Sequence, residues 1–119
     1  MEKLKVDLKL QALPVEITDK EGKAHDYELR EMDGDAQGDY LDSIADKMKY
    51  DKEGKPCGLK TFKGLKEGLL NRCLFDSEGK VVTMKELKQF PGTALTVLFE
   101  AAQKLSGLDL ESKEGIKNG

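Results

Sequence analysis

One acidic segment in the first third of the chain has a spacing close to that of a calcium-binding loop. Asp33, Asp35 and Gln37 place oxygen donors at positions one, three and five of such a loop, and Gly38 stands at position six. Position twelve, where a bidentate glutamate is needed, is Ile44. Aspartates at the start of a helix also satisfy its free N–H groups. We therefore assign these residues to helix capping and predict no metal site.

Other residue types that commonly do chemistry are sparse. His25 is the only histidine among 119 residues, and fifteen residues separate the two cysteines, Cys57 and Cys73. A zinc site needs more nitrogen and sulfur ligands than these, and a serine nucleophile needs a positioned base. We interpret Cys73 as a small core residue and Cys57 as a loop thiol without an activating base. The sequence predicts no catalytic residues, no cofactor and no enzymatic activity.

Length and composition favour one small domain that does not enter a membrane. The chain has 119 residues, of which 36% are charged, and no apolar run reaches the ~18–20 residues of a membrane span. The first five residues alternate charge with leucine and do not resemble a signal peptide. With only two cysteines, these features predict a protein of the reducing cytoplasm that is not secreted.

The charged residues are unevenly distributed along the chain. Residues 16–46 have a local net charge of −8 and residues 47–66 one of +5, whereas the whole chain has −3. The overall acidity argues against a general nucleic-acid binder. Two explanations of the asymmetry stay open, namely two independently solvated faces, or complementary surfaces that favour self-association.

Hydrophobic periodicity predicts an α+β fold. Residues 3–10 alternate apolar and charged side chains, which is typical of a half-buried strand. Residues 15–32 predict a hairpin around Gly22. From Asp33 onward the apolar spacing becomes helical, with a loop at 51–58. The predicted helices lie near 35–49, 61–74, 84–89 and 94–106. Phe62 is expected to face inward on the second of these, and Thr83 and Glu86 to form a capping box at the start of the third.

These elements define a single domain over residues 1–110. A small N-terminal antiparallel sheet over residues 3–32, made of the hairpin plus one strand, precedes a mainly helical C-terminal part within 33–108. Residues 111–119 are polar and contain glycine, which predicts a flexible tail.

The last predicted helix has an unusually wide apolar surface. Its apolar residues cover an arc of roughly 200°, whereas a helix that faces one core needs a stripe of about 100°. The helix is therefore either central in the core or packed on the core by one side and on a partner by the other. The candidate protein-binding face consists of Leu95, Leu98, Phe99 and Ala102.

Three segments together resemble the tail assembly chaperones of long-tailed bacteriophages and prophages. Residues 27–41 read as a strand that enters a helix through an acidic turn, and residues 69–87 as a helix, an acidic-glycine turn and a further helix. Residues 90–108 resemble the closing helix of that family and end in Ser-Gly-Leu. The likeness covers about residues 25–110 and is one of pattern and length.

The resemblance implies a protein that is absent from the finished virus particle. Such chaperones coat the long hydrophobic tape measure protein and recruit tail tube subunits in the host cytoplasm. The family has no catalytic motif to match, so no site residue is transferred from it. Two other functions stay open: a structural tail component such as a terminator or connector, and a small protein-binding adaptor.

Overall fold

A computed structural model describes residues 2–108, which form a three-stranded antiparallel sheet, a separate two-stranded sheet and four helices. This architecture confirms the predicted α+β class, with an N-terminal hairpin and a mainly helical second part. In chain order the elements are β1 (Ala12–Thr18), β2 (Ala24–Arg30), α1 (Gly34–Ala45), β3 (Met48–Tyr50), β4 (Pro56–Leu59), α2 (Leu65–Cys73), β5 (Leu74–Asp76), α3 (Met84–Leu87) and α4 (Gly92–Leu105).

The third strand of the main sheet is β5 and not the N-terminal segment. The strand order is β1-β2-β5, with Leu29 of β2 opposite Leu74 of β5. Both leucines are fully buried, so this pairing places the sheet against the helices. The predicted strand over residues 3–10 was wrong, because these residues pair with no strand within residues 2–108. Alternating apolar and charged residues indicate that a segment can form a strand with one apolar face. They do not show that another strand is available to pair with it.

The β1–β2 hairpin is held in register from end to end. At its open end the Glu31 N–H donates to the Gln11 carbonyl, and next to the turn the Asp19 N–H donates to the Lys23 carbonyl. Because hydrogen-bonded pairs alternate in an antiparallel ladder, the Pro14 nitrogen faces the free edge of β1. Pro14 therefore lies within β1, because no ladder bond requires its missing N–H at this edge.

Three tight turns share one sequence pattern and one geometry. They span residues 19–23, 51–55 and 76–80, and each has aspartate first, glutamate third, glycine fourth and lysine fifth. In each, the aspartate Oδ1 accepts the N–H groups of the third and fifth residues at 2.9 Å. The glycines have φ of 84°, 81° and 80°. The middle turn joins β3 to β4, so a hairpin stands where sequence analysis predicted a loop at 51–58.

Two predicted helices are shorter than expected. Helix α1 ends at Ala45, and its predicted last residues form strand β3 instead. Helix α2 begins at Leu65 because Gly64 takes φ of 80°, a left-handed conformation that stops the helix from extending toward residue 61. Phe62, which was predicted to face inward, therefore lies outside the helix and is exposed.

Two helix starts follow the predicted capping. The Asp33 carboxylate accepts the Ala36 N–H at 2.9 Å. The Thr83 hydroxyl accepts the Glu86 N–H at 3.2 Å and bonds to the Glu86 carboxylate at 3.1 Å, so Thr83 and Glu86 form the predicted capping pair. Helix α4 begins after Pro91, slightly before the predicted start.

The hydrophobic core is arranged around α2. Leu69, Leu70 and Cys73 of this helix are fully buried. The helix contacts α1, α3, α4 and β2. Those elements contribute further buried side chains, including Leu29, Tyr40, Leu87, Leu98 and Ala102.

No helix within residues 2–108 is long and apolar enough to cross a membrane. The predicted flexible tail, residues 111–119, and the predicted domain end at residue 110 lie outside the described residues.

Two glycine-to-alanine substitutions should have opposite effects on stability. Gly22→Ala places an L side chain at φ of 84° and is expected to lower the free energy of unfolding by about 1–2 kcal/mol. Gly38→Ala introduces the same methyl group within α1, where nothing lies within 4 Å, and should raise it by about 0.5–1 kcal/mol. Urea denaturation measures both. Equal effects of the two substitutions would contradict the assigned turn conformation.

Candidate functional site

The predicted protein-binding face on α4 is not accessible. Leu95, Leu98 and Ala102 are buried in the core, and Phe99 packs partly buried against it. Helix α4 turns its wide apolar arc toward α2 and β2, so this face is largely buried in the free chain, and its role in partner binding stays a prediction. The exposed apolar residue on this helix is Val97, with 67% of its surface accessible.

A first candidate surface is the groove between the N-terminal ends of α2 and α4, called here the α2–α4 groove. Its volume is 350 Å³. The Lys66 ammonium donates to the Thr96 hydroxyl at 3.0 Å, a bond that ties the two helices together beside the groove. The lining residues are Phe62, Lys63, Gly64, Leu65, Lys66, Glu67, Gly92 and Leu95.

Phe62 is the most exposed aromatic side chain in the described part of the protein, with 74% of its surface accessible. Sequence analysis placed it on the buried stripe of a helix that was expected to begin at residue 61. Gly64 was the feature of the sequence that indicates a later helix start, which leaves Phe62 outside α2. Glycine is the residue that most readily adopts the left-handed conformation seen before this helix. An exposed phenylalanine beside an apolar groove is a suitable contact for an apolar partner segment.

A second candidate surface, called here the hairpin groove, lies between the tip of the β1–β2 hairpin and the α3–α4 corner. It has a volume of 500 Å³. Its apolar residues come from the inner face of the hairpin and from the start of α4, and charged groups stand beside them. The lining includes Ile17, Thr18, Asp19, Lys20, His25, Tyr27, Glu86, Gln89, Phe90, Pro91 and Ala94.

Two titratable groups in the hairpin groove, Asp19 and His25, are hydrogen-bonded to each other beside the turn. His25 Nε2 lies 2.7 Å from Asp19 Oδ2. This side-chain hydrogen bond, together with the backbone N–H of Lys23, lowers the pKa of Asp19 below its usual value. Burial raises the pKa of Tyr27, and the carboxylate of Glu86 adds to this effect. Tyr27 therefore keeps its proton at neutral pH and can donate a hydrogen bond.

The two cysteines lie in different environments. Cys73 is fully buried, as the sequence predicted, and burial raises the pKa of its thiol to about 11. A thiol in this state is neutral and is a poor nucleophile at neutral pH. Cys57 is exposed on β4.

The aspartates of the calcium-like segment act at the start of α1. The Asp33 side chain is engaged with the N–H of Ala36. Within residues 2–108, no group of three or more histidine, cysteine, aspartate or glutamate side chains is placed to hold a metal ion. Capping accounts for the position of Asp33, and the absence of calcium binding stays a prediction.

The N-terminal arm, defined here as residues 3–10, is a third exposed apolar surface. Leu4 is 92% exposed and Leu8 90% exposed, and Val6 and Leu10 are also accessible. Sequence analysis expected these side chains to cover one face of the sheet. Their exposure makes the arm a candidate binding segment that sequence reasoning had assigned to the core.

The opposite charges of the two chain segments are not neutralised by contacts between them. Residues 16–46 form the hairpin, its turn and α1, whereas residues 47–66 form the β3–β4 hairpin and the start of α2. Among the described residues no ion pair joins one segment to the other. Both charged segments are therefore available to partners of opposite charge.

Comparisons of the chain with protein-family models, with curated proteins and with solved structures gave no match.

Adjacent residues of α4 should differ sharply in their sensitivity to truncation. Leu98→Ala removes a buried side chain and is expected to lower the free energy of unfolding by about 2–5 kcal/mol. Val97→Ala, on the exposed side of the same helix, should change it by less than about 0.5 kcal/mol. Urea denaturation followed by circular dichroism measures the pair. Similar losses would show that the burial of α4 is wrongly assigned.

The pKa of Asp19 should depend on His25. Because the hydrogen bond with His25 is the largest cause of the lowered pKa, His25→Ala is expected to move the Asp19 pKa up toward its ordinary value. A carboxylate with a lowered pKa stabilises the fold at neutral pH, and this contribution is lost as the pH falls through the folded-state pKa. Carboxyl carbon NMR titration measures the shift. Lys20→Ala in the same turn is the control, and an Asp19 pKa that is unchanged in His25→Ala would contradict the assigned pair.

Proposed function

We propose that this chain is a non-catalytic tail assembly chaperone of a long-tailed bacteriophage or prophage. It binds the tape measure protein and tail tube subunits during tail assembly, in the cytoplasm of the host cell. The resemblance of residues 27–41, 69–87 and 90–108 to that family supports the proposal. The structural observation that carries it is the α2–α4 groove with its exposed Phe62.

The α2–α4 groove suits a partner segment that is apolar on one side and acidic on the other. Its floor contains Leu65 and Leu95, and Phe62 stands beside it. Lys63 and Lys66 place positive charge at the same surface, within the segment that has a net charge of +5. Apolar contacts supply affinity, and the lysines select carboxylate-bearing segments over basic ones.

The high charge of the remaining surface is compatible with a chaperone role. A chaperone must present apolar groups to its client without aggregating itself. With 36% charged residues, the chain can expose side chains such as Phe62 and Val97 and still have a surface that favours solubility. This arrangement favours reversible binding of another protein.

The proposal is tested by co-expression with the tape measure protein of the same phage or prophage and, separately, with its tail tube protein. The wild-type chain is expected to keep the tape measure protein soluble and to co-purify with it. Phe62→Ser should reduce the recovered complex by more than about fivefold, since an aromatic contact is lost. Leu41→Ser, which alters an exposed leucine on α1, is the matched control and should leave recovery unchanged.

Two results would contradict the proposal. Tape measure protein that is equally soluble with and without the chain would remove the chaperone role. A chain that is found at a fixed number of copies in purified phage particles would favour the structural tail component instead.

A further inference from the structure

We propose that the N-terminal arm of one copy of this chain binds the hairpin groove of a second copy, so that two copies exchange arms in a symmetric dimer. This inference concerns the free chain and does not depend on the proposed client proteins. It follows from the chemistry of the arm, from the strand edges and groove of the same chain, and from the charges on both surfaces.

The arm has the composition of a strand that binds another surface. Leu4, Val6 and Leu8 recur at every second position and are exposed. In an extended chain such residues lie on one side, about 6.6–7 Å apart. Lysines and Asp7 alternate with them, so one side of the arm is apolar and the other is charged, with an excess of lysine.

The main sheet of the same chain offers no free edge that suits the arm. The outer side of β5 is occupied by the following segment, where the Val82 N–H donates to the Leu74 carbonyl and Phe75 bridges to Val81. The outer side of β1 contains Pro14, which lacks the N–H that a continuous ladder would use. Among the described residues of the main sheet, neither edge accepts a full new strand.

The arm also leaves the sheet at the end opposite the hairpin groove. Its root is held at Gln11, whose N–H donates to the Glu31 carboxylate and whose carbonyl accepts the Glu31 N–H. Strand β1 then runs about 20 Å to Thr18 at the groove. The arm would have to reverse direction to reach the groove of its own chain. It bends at Lys9, where the Lys9 N–H donates to the Asp7 carboxylate at 3.0 Å, but residues 2–13 contain no glycine or proline for a tighter reversal. A second copy removes this constraint.

The hairpin groove offers the apolar and acidic groups that the arm needs. Ile17, Tyr27 and Phe90 supply apolar surface, and the carboxylates of Asp19 and Glu86 outnumber the single ammonium of Lys20 in the lining. The surrounding segment 16–46 has a net charge of −8, whereas residues 3–10 have three lysines and one aspartate. Leucines of the arm can enter the groove while the long lysine side chains reach the carboxylates at its margin.

Arm exchange explains why both surfaces remain open within one chain. If each copy places its arm in the groove of the other, the two contacts are related by a twofold axis and the assembly closes at two copies. The same contact then covers the exposed leucines and the groove together.

Analytical ultracentrifugation of the full chain alone tests the proposal. The wild-type chain is expected to be dimeric. Replacing Leu4 and Leu8 together by aspartate should weaken the dimer by more than about tenfold for each leucine lost. These side chains make no core contact, so folding should be unchanged by circular dichroism. Val97→Asp, an exposed change outside the groove, should leave the dimer intact.

A groove variant makes the test specific. Ala94→Arg, at the groove lining, should also give monomers, with its folding checked by thermal unfolding. Mixing it with the Leu4/Leu8 variant should restore a weaker heterodimer, because one intact arm and one intact groove remain in the pair.

A cross-link tests the same contact directly. In a Cys57→Ser background, copies with Leu8→Cys and copies with Gln89→Cys should form a disulfide between chains.

A monomeric wild-type chain, or a dimer that persists in the Leu4/Leu8 variant, would overturn the proposal. Failure of both the mixed heterodimer and the cross-link would overturn it too. None of these measurements includes tape measure protein, so they leave the chaperone proposal untouched.

Discussion

Helix α2 contacts α1, α3, α4 and β2, and its residues Leu69, Leu70 and Cys73 are fully buried among them. The helix is nine residues long and contains Gly68, so its own propensity is weak. Its position depends on the apolar side chains that it buries against its neighbours. The strand β5 begins directly after Cys73, so the packing of α2 also positions the third strand beside β2 in the main sheet.

This packing involves the apolar residues of α4 that sequence analysis had named as a candidate protein-binding face. Once Leu95, Leu98 and Ala102 face the core, the apolar groups available for binding lie elsewhere. They include Phe62 beside the α2–α4 groove, and the leucines of the N-terminal arm. Both stand next to regular elements without belonging to them. Residues in such positions can contact another protein without disturbing the fold.

The two grooves differ in charge, and this difference separates the partners proposed for them. The α2–α4 groove belongs to the lysine-rich part of the chain, whereas the hairpin groove lies at the acidic hairpin. A basic arm is favoured by the acidic groove and disfavoured by the basic one. The two proposed interactions, with a second copy and with a client protein, therefore involve different surfaces of the chain. Coulomb interactions at these exposed positions are screened by salt, so apolar contacts supply most of the affinity in both cases.

Local patterns in the sequence determined several features that the structure contains. The hairpin around Gly22, the capping by Asp33 and Thr83, and the helix that ends at Leu105 all depend on residues that are neighbours in the chain. Turn chemistry, capping hydrogen bonds and helical spacing act over a few residues. The Cys73 side chain could be placed in the core for the same reason, because its apolar stripe is visible in the sequence.

Only the tertiary structure decided which apolar residues are buried. The alternation at residues 3–10 is that of a strand, yet β5 occupies the place beside β2. The wide arc of α4 did not show which side meets α2. Periodicity identifies a face that can be buried, but it contains no information about the distant segment that covers it. That choice depends on competition among strands and helices far apart in the sequence, which is settled by how well their side chains pack in three dimensions.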